Sequence, residues 1–382
     1  MSGFDLAIER RASGCAKWTR WDADVLPMWV ADMDFACAPP ILDVLRERVA
    51  HGVLGYGAPI ERLSAAILAH LEHQYGWRVA PEAIVPLPGV VPGFNLALRA
   101  LCAPGAGVVV QTPVYPPMLK APDNWGLRRI DAPLSPDGAV DMDRFRAAVG
   151  AAGQGAFLLC NPHNPTGRVF RREELAAMAE VCLTAGVAIV SDDIHCDLLF
   201  DGRRHVPIAS LSPEIAAHSI TLMSAGKTWN IAGLNAAWAV VEDPGLRARF
   251  ATARAGVADH ANILGLIATM AALEQGEGWR REVVAYLQAN RDWLAGAVAT
   301  RLPGVRMTPP EGTYLAWLDC SGAPPEARED PQRFFLDRAR VGFNPGPDFG
   351  PPGRHFVRMN FGCPRATLEE GVARMERALA TA

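Results

Sequence analysis

Residues 219–241 read SITLMSAGKTWNIAGLNAAWAVV. An apolar run of strand length, SITLM (219–223), enters the stretch, and a second, AAWAVV (236–241), leaves it. The one charged side chain between them is Lys227. An ammonium is strongly hydrated, so burial penalises its charged form. Such a lysine either snorkels along its alkyl stem to water or sits there for its chemistry. What the neighbouring strands deliver to the same place decides between the two.

Further short apolar runs read as buried strands: GVVVQ (107–111), AFLLC (156–160) and GVAIVSD (186–192). Helical patterns separate them, as in RREELAAMAEVCLTAG (171–186). This alternation predicts an α/β chain with a mainly parallel sheet covered on both faces. PPILDVLRERVAHG (39–52) and RLSAAILAHLEHQYG (62–76) read as helices, and PGVVPGFNLALRALC (88–102) as a helix opening at a glycine-rich turn. After about residue 275 the pattern changes. A long helix over 277–301 leads to TYLAWLDC (313–320), a helix near 331–340, HFVRMNF (355–361) and a terminal helix over 365–380. We expect a large domain over 40–275 and a smaller α+β domain built from 1–39 and 276–382.

Half of the 382 residues are hydrophobic and the net charge is −4, with both signs scattered. No basic stripe points to nucleic acid or an anionic membrane. No apolar run is long enough to span a bilayer. The N-terminus MSGFDLAIERRASGCAKW carries charges throughout, unlike a signal peptide. The eight cysteines are scattered singly without a CxxC, which reads as reduced thiols in a cytosolic protein.

In open parallel sheets, ligands gather beyond the carboxyl ends of the strands. AFLLC is followed by NPHNPTGR (161–168), GVAIV by SDDIH (191–195), and SITLM by the lysine stretch. Asn164, Asp192 and Lys227 therefore emerge at one sheet edge. A desolvated lysine loses its proton readily, and a neutral amine forms a Schiff base with an aldehyde. A carboxylate can hold a pyridinium nitrogen protonated, making the ring an electron sink. An asparagine amide can donate to a ring oxygen. Gly89, Val90 and Val91 at a helix start offer backbone N–H groups to a phosphate, with the hydroxyls of Ser224 and Thr228 nearby. Tyr115, in TPVYPP (112–117), can stack on the ring. Taken singly, these are a turn-rich loop, a helix cap and a snorkelling lysine. The joint pattern, in order and at strand ends, carries the chemical reading.

These motifs resemble the signatures of fold-type I pyridoxal-phosphate (PLP) enzymes, the aspartate aminotransferase superfamily. With LPMWVADMDF (26–35) and GYG (55–57), the chain is similar to one branch, the cystathionine β-lyase or cysteine C–S lyase group of the MalY/PatB type. The resemblance runs from FDLAIERR to FVRMNFGCP. It implies a large domain with a mainly parallel seven-stranded sheet, pyridoxal 5′-phosphate as cofactor, and a homodimer with shared active sites. Lys227 would be the Schiff-base lysine. Asp192 would pair with the pyridine nitrogen, and Asn164, with His195 close by, would meet the ring oxygen. Tyr115 would stack on the ring. Val90, Val91 and Ser224 would contact the phosphate, and Tyr56 that of the neighbouring subunit. Arg358 would clamp the substrate α-carboxylate with its planar fork.

Three departures stand out. His195 occupies a position where aminotransferases usually carry Tyr, although the lyase branch shares His. Asn235 stands where a phosphate-binding Arg is usual, and Gly226 where lyase relatives often have Ser. The implied activity is β-elimination from cystathionine or a related cysteine S-conjugate, giving a thiol, pyruvate and ammonia. The alternatives are an aminotransferase and a regulatory protein on the same fold. Elsewhere, His70 and His73 read as a solvated helix face more readily than as metal ligands. His163 reads as a hydrogen-bonded loop residue or a neighbour of the substrate. Trp18, Trp21 and Trp29 either line an entrance or anchor the N-terminal arm. Asp32 and Asp34 either face the site or cap a helix.

Overall fold

The computed structural model describes residues 3–57, 61–258 and 260–382. Seven strands form the main sheet. They are β1 (Ile84–Leu87), β2 (Gly107–Val110), β3 (Arg128–Asp131), β4 (Ala156–Cys160), β5 (Ala188–Asp192), β6 (Ser219–Met223) and β7 (Ala237–Val240). Their spatial order is β1-β7-β6-β5-β4-β2-β3. Only β7 runs against its neighbours, so the sheet is mixed and mostly parallel. The five apolar runs fall on β2, β4, β5, β6 and β7, the interior of the sheet. β3 (RRID) went unread because an edge strand half in water needs no apolar run. β1 carries Pro86, which an edge position tolerates.

The sheet is buried on both faces, as its strand sequences require. Val108, Leu158, Val190 and Leu222 face one core; Val109, Phe157, Leu159 and Ile189 alternate with them into the other. The helices that matter for the site are α1 (Pro39–His51), α2 (Glu61–Tyr75), α3 (Val90–Leu101), α4 (Arg172–Thr184) and α5 (Ile263–Gln275). α3 buries Val90, Phe94, Ala97 and Leu98 against the first face, and α4 buries Leu175, Met178 and Cys182 against the second. Asp192 shares the parity of Val190, which turns it to the α3 side.

Beyond α5, α6 (Glu277–Arg301) and α7 (Arg365–Leu379) accompany a second, antiparallel sheet. Its strands are β8 (Arg306–Met307), β9 (Leu315–Asp319), β10 (Asn344–Pro345) and β11 (Phe356–Asn360), in the order β10-β11-β9-β8. The core here combines Leu287, Leu315, Val357 and Leu368 with Phe4, Met28 and Met33 from the N-terminal arm. Leu26–Pro27 also pairs in parallel with Val341–Gly342. The helix expected near 331–340 is present over 331–339, but not as one regular α-helix. An α-turn over Pro331–Phe334 widens to a π-turn over Phe335–Ala339 and stops at Arg340, with φ 55°.

Candidate active site

Asp192 is the last residue of β5, and its Oδ1 accepts the Ile194 N–H at 3.1 Å. Burial raises this carboxyl to about 7; the adjacent Asp193 carboxylate adds to the rise, while the Ile194 N–H and Lys227 oppose it. After β4 the chain turns through Asn161–Gly167, closed by the Gly167 N–H on His163 O at 2.7 Å. That loop presents Asn164, whose Oδ1 accepts from Arg358 Nη1 at 2.9 Å. The Asn164 amide hydrogens have no partner among the described residues.

After β6 the chain makes a tight turn in which the Trp229 and Ile231 N–H groups bond Ala225 O and Gly226 O, each at 3.0 Å. Lys227 leaves this turn, and its Nζ donates to Ala31 O at 2.6 Å. Burial lowers the amine to about 8, helped by the Arg358 charge and opposed by Asp32 and Asp192. Arg358, on β11, donates from Nη2 to Trp29 O at 3.0 Å and to Asn344 Oδ1 at 2.7 Å. Its guanidinium lies 5.0 Å over the Phe349 ring. Burial pulls it down to about 10, so it stays cationic at neutral pH. Its Nε is buried without a partner.

These groups share one cavity of about 480 Å³. Lys227, Asp192, Asn164, Tyr115, His195, Val90, Val91, Ser224 and Arg358 all line it. Tyr56 does not. It is 92 % exposed, with its ring 5.5 Å from that of His260. His195 is buried with Nδ1 unpartnered, and burial holds its imidazole well below the usual value, hence neutral. Burial also raises the Tyr115 hydroxyl, with Asp192 adding to the effect. Val90 and Val91 begin α3, where backbone N–H groups lack intrahelical acceptors. Ser224 Oγ donates to Ala236 O at 2.7 Å and accepts from the Gly226 N–H at 2.9 Å, so it braces the lysine turn. A Cβ at Gly226 would lie 3.1 Å from that oxygen and 3.2 Å from Ala232 Cα, a tight fit. Asn235, with φ 50°, sits exposed on the cavity wall.

A phosphorylated pyridine aldehyde fits this donor set. An amine brought down to about 8, a buried carboxyl, a free amide, an unpartnered imidazole and open helix N–H groups meet in one ring-sized space with mostly apolar walls. Asn235 stands on the cavity wall where an arginine is usual, so backbone N–H groups at the start of α3 would carry more of a phosphate's charge.

Some expectations need correction, and some open alternatives are resolved. Thr228 is fully buried and does not line the cavity. His70 is not on a solvated face: it is buried, with Nε2 3.1 Å from Asp197 Oδ2 and its ring edge against Trp229. His73 is exposed. No cluster of three or more His, Cys, Asp or Glu among the described residues could hold a metal. His163 is buried off the cavity wall, bonded to Thr166 Oγ1 at 2.9 Å and Gln111 O at 3.2 Å. Asp32 and Asp34 neither line the cavity nor cap a helix; both pair with Arg10 and Lys17. Trp18 anchors the arm through Nε1 on Asp34 at 2.8 Å, whereas Trp29 lines the cavity and carries Trp21 on its edge. The Ala31 carbonyl, Tyr314, Asn230 and Asn344 went unread. Their signal is a hydrogen bond to a distant partner, which no local pattern displays.

The model of the family Aminotransferase class I and II matches residues 25–375. Cystathionine beta-lyase PatB of Bacillus subtilis (strain 168) is 38% identical over 386 residues, covering 98% of this chain and 99% of its own. The crystal structure of OvoB superposes with a TM-score of 0.94 at 43% identity, covering 99% of each chain. A PLP-bound C–S lyase from Staphylococcus hominis superposes with a TM-score of 0.92 at 31% identity, covering 99% of this chain and 98% of its own. With the family model, the full-length relatives and the whole architecture in agreement, the chain belongs to the aminotransferase class I and II family, in its cystathionine beta-lyase branch of the PatB and MalY type.

Proposed function

We propose that this protein is a β-eliminating C–S lyase of cystathionine or related cysteine S-conjugates, releasing a thiol (homocysteine from cystathionine), pyruvate and ammonia. The observation that carries this reading is the convergence of a depressed lysine amine, a buried carboxyl and a buried guanidinium on one cavity. Pyridoxal 5′-phosphate is the cofactor; when bound, it supplies an aldehyde for amines and a ring that accepts the electron pair released at Cα. Lys227 Nζ holds the cofactor and moves a proton from the substrate Cα, a task suited to an amine poised near neutral pH. Asp192 holds a proton at the ring nitrogen. The Asn164 amide donates to the ring oxygen, with its own carbonyl fixed by Arg358. Arg358 binds the α-carboxylate and is itself oriented by Trp29 O and Asn344. Tyr115 covers a ring face. The Val90 and Val91 N–H groups receive the phosphate, with Ser224 bracing the turn behind them.

The site is completed in a homodimer, with Tyr56 reaching the neighbouring subunit's phosphate. Val49, Val53, Leu54 and Tyr56 support this: within one short stretch they expose 56–92 % of their surface. Large apolar side chains so bunched are normally covered.

Incubation with L-cystathionine and no 2-oxo acid should yield pyruvate and homocysteine together. If neither forms, and turnover instead needs an amino acceptor, the aminotransferase reading replaces this one. Lys227→Ala should lower turnover by about 10²–10⁴-fold or more, as loss of a positioned base does, measured as pyruvate release.

A further inference from the structure

Lys227 and Arg358 both bond to one irregular segment, Trp29–Phe35, through Ala31 O (2.6 Å) and Trp29 O (3.0 Å). Side chains from both sheets' surroundings hold that segment. Asn230, three residues after Lys227, accepts the Met33 N–H at 3.0 Å and donates to Met33 O at 2.9 Å and Phe35 O at 2.7 Å. Its φ of 58° is one that asparagine tolerates better than most residues. Asn360, at the end of β11, donates to Val30 O and Asp32 O, each at 2.6 Å. Tyr314 is buried, and its hydroxyl donates to the same Ala31 oxygen at 2.9 Å. A carbonyl oxygen has two lone pairs. Tyr314 takes one, and Lys227 Nζ takes the other.

We propose that Asn230 and Tyr314 are positioning residues for Lys227, holding the Ala31 carbonyl as the acceptor for the ammonium that forms when Nζ takes the substrate's Cα proton. This deepens the lyase reading and rests on Lys227 being the base. In that step the Cα–H bond breaks, an N–H bond forms at Nζ, and the electron pair of the broken bond stays on Cα. The resulting ammonium is enclosed, and a buried cation without an acceptor is costly. Asp192 and Asp32 favour that charge and Arg358 opposes it, but among the described residues the one hydrogen bond that Nζ donates goes to Ala31 O. Burial holds the Tyr314 hydroxyl proton in place, so this residue remains a donor. The protonated lysine is therefore held by backbone that its own turn, through Asn230, has fastened.

The test uses full-length wild type, Asn230→Gly, which keeps access to positive φ, and Tyr314→Phe. Reductive methylation of Lys227 in the cofactor-free chain, followed by mass spectrometry over a pH series, reads the proton affinity of the amine. Weakening the hydrogen bond from the ammonium to the displaced Ala31 carbonyl should make labelling at neutral pH about fivefold faster in the variants. In the holoenzyme, Cα deuterium exchange of L-alanine should fall by about tenfold in kcat with KM little changed, as for an interaction used in the proton-transfer step. A labelling profile unchanged or moved to higher pH in both variants overturns the proposal. If Asn230→Gly does not fold, Tyr314→Phe, which removes one oxygen, decides alone. Exchange that persists in Lys227→Ala would instead sink the base assignment, and the labelling result would stand apart from it.

Discussion

Lys227 and Asp192 are shifted in opposite directions by one cause. The cavity desolvates both, which moves each toward its neutral form: the amine down to about 8, the carboxyl up to about 7. A carboxyl with a raised folded value gives its full stabilising contribution below its ordinary titration, and loses it as pH rises toward 7. The lysine has the reverse window: its burial penalty is present below about 8 and is relieved as pH climbs toward the ordinary lysine value. The cofactor-free protein should therefore carry a stability cost from Asp192 at pH near 8. Asp192→Asn should stabilise that form by roughly 2–4 kcal/mol, while weakening cofactor binding. Calorimetry at mildly alkaline and at acidic pH tests this. The gain should vanish at acidic pH, and a gain equal at both would mean the carboxyl is not desolvated. The chemistry of both residues was legible in SAGKTWNIAGL and SDDIH, because Asp192 ends one buried strand and Lys227 lies in the turn after another. The partners that tune them were not, since Ala31, Asp193 and Arg358 come from packing.

At the scale of elements, the lysine turn depends on a helix that contributes no residue to the cavity wall. Gly265 in α5 presses on the chain returning from that turn. A Cβ there would lie 2.5 Å from Leu234 O and 2.7 Å from Ala236 Cβ. Ala236 in turn receives the Ser224 hydroxyl and lines the cavity. Gly265→Ala should therefore overpack this contact at a cost of about 1–3 kcal/mol and weaken cofactor binding. Thermal melting of the cofactor-free chain and a binding titration would show both losses; a melting point lowered with affinity intact would separate the helix from the site. The central strands were readable because a strand buried on both faces is a continuous apolar run. β3, half in water, was not, since it leaves no such run; the helix near 331–340 was read, but not its widening to a π-turn over Phe335–Ala339. We propose the division at residues 39/40 and 275/276, on the grounds that Phe4, Met28 and Met33 join the core of α6, α7 and β11.

Over the whole molecule, the test of the shared site is complementation. The chain should run as a dimer in light scattering, and Tyr56→Ala should weaken cofactor binding without dissociating it. Randomly mixed Lys227→Ala and Tyr56→Ala subunits should regain about a quarter of wild-type activity, because only mixed dimers hold one intact site of two in a C2 arrangement. No regain would place Tyr56 outside the partner's site. What the sequence determined by itself was the mostly parallel sheet and the order of chemical groups along its edge. Both follow from local periodicity, since a strand's apolar run and the residue just past its end are fixed within a few positions. Tertiary structure alone decided which backbone accepts the lysine proton, which amide braces Arg358, and that Asp32 and Asp34 bind Arg10 and Lys17 instead of facing the cavity. Lys227 and Ala31 are 196 residues apart, and Arg358 and Asn164 are 194 apart. Hydrogen bonds across such separations exist only once the cores have brought the two sheets and the N-terminal arm together.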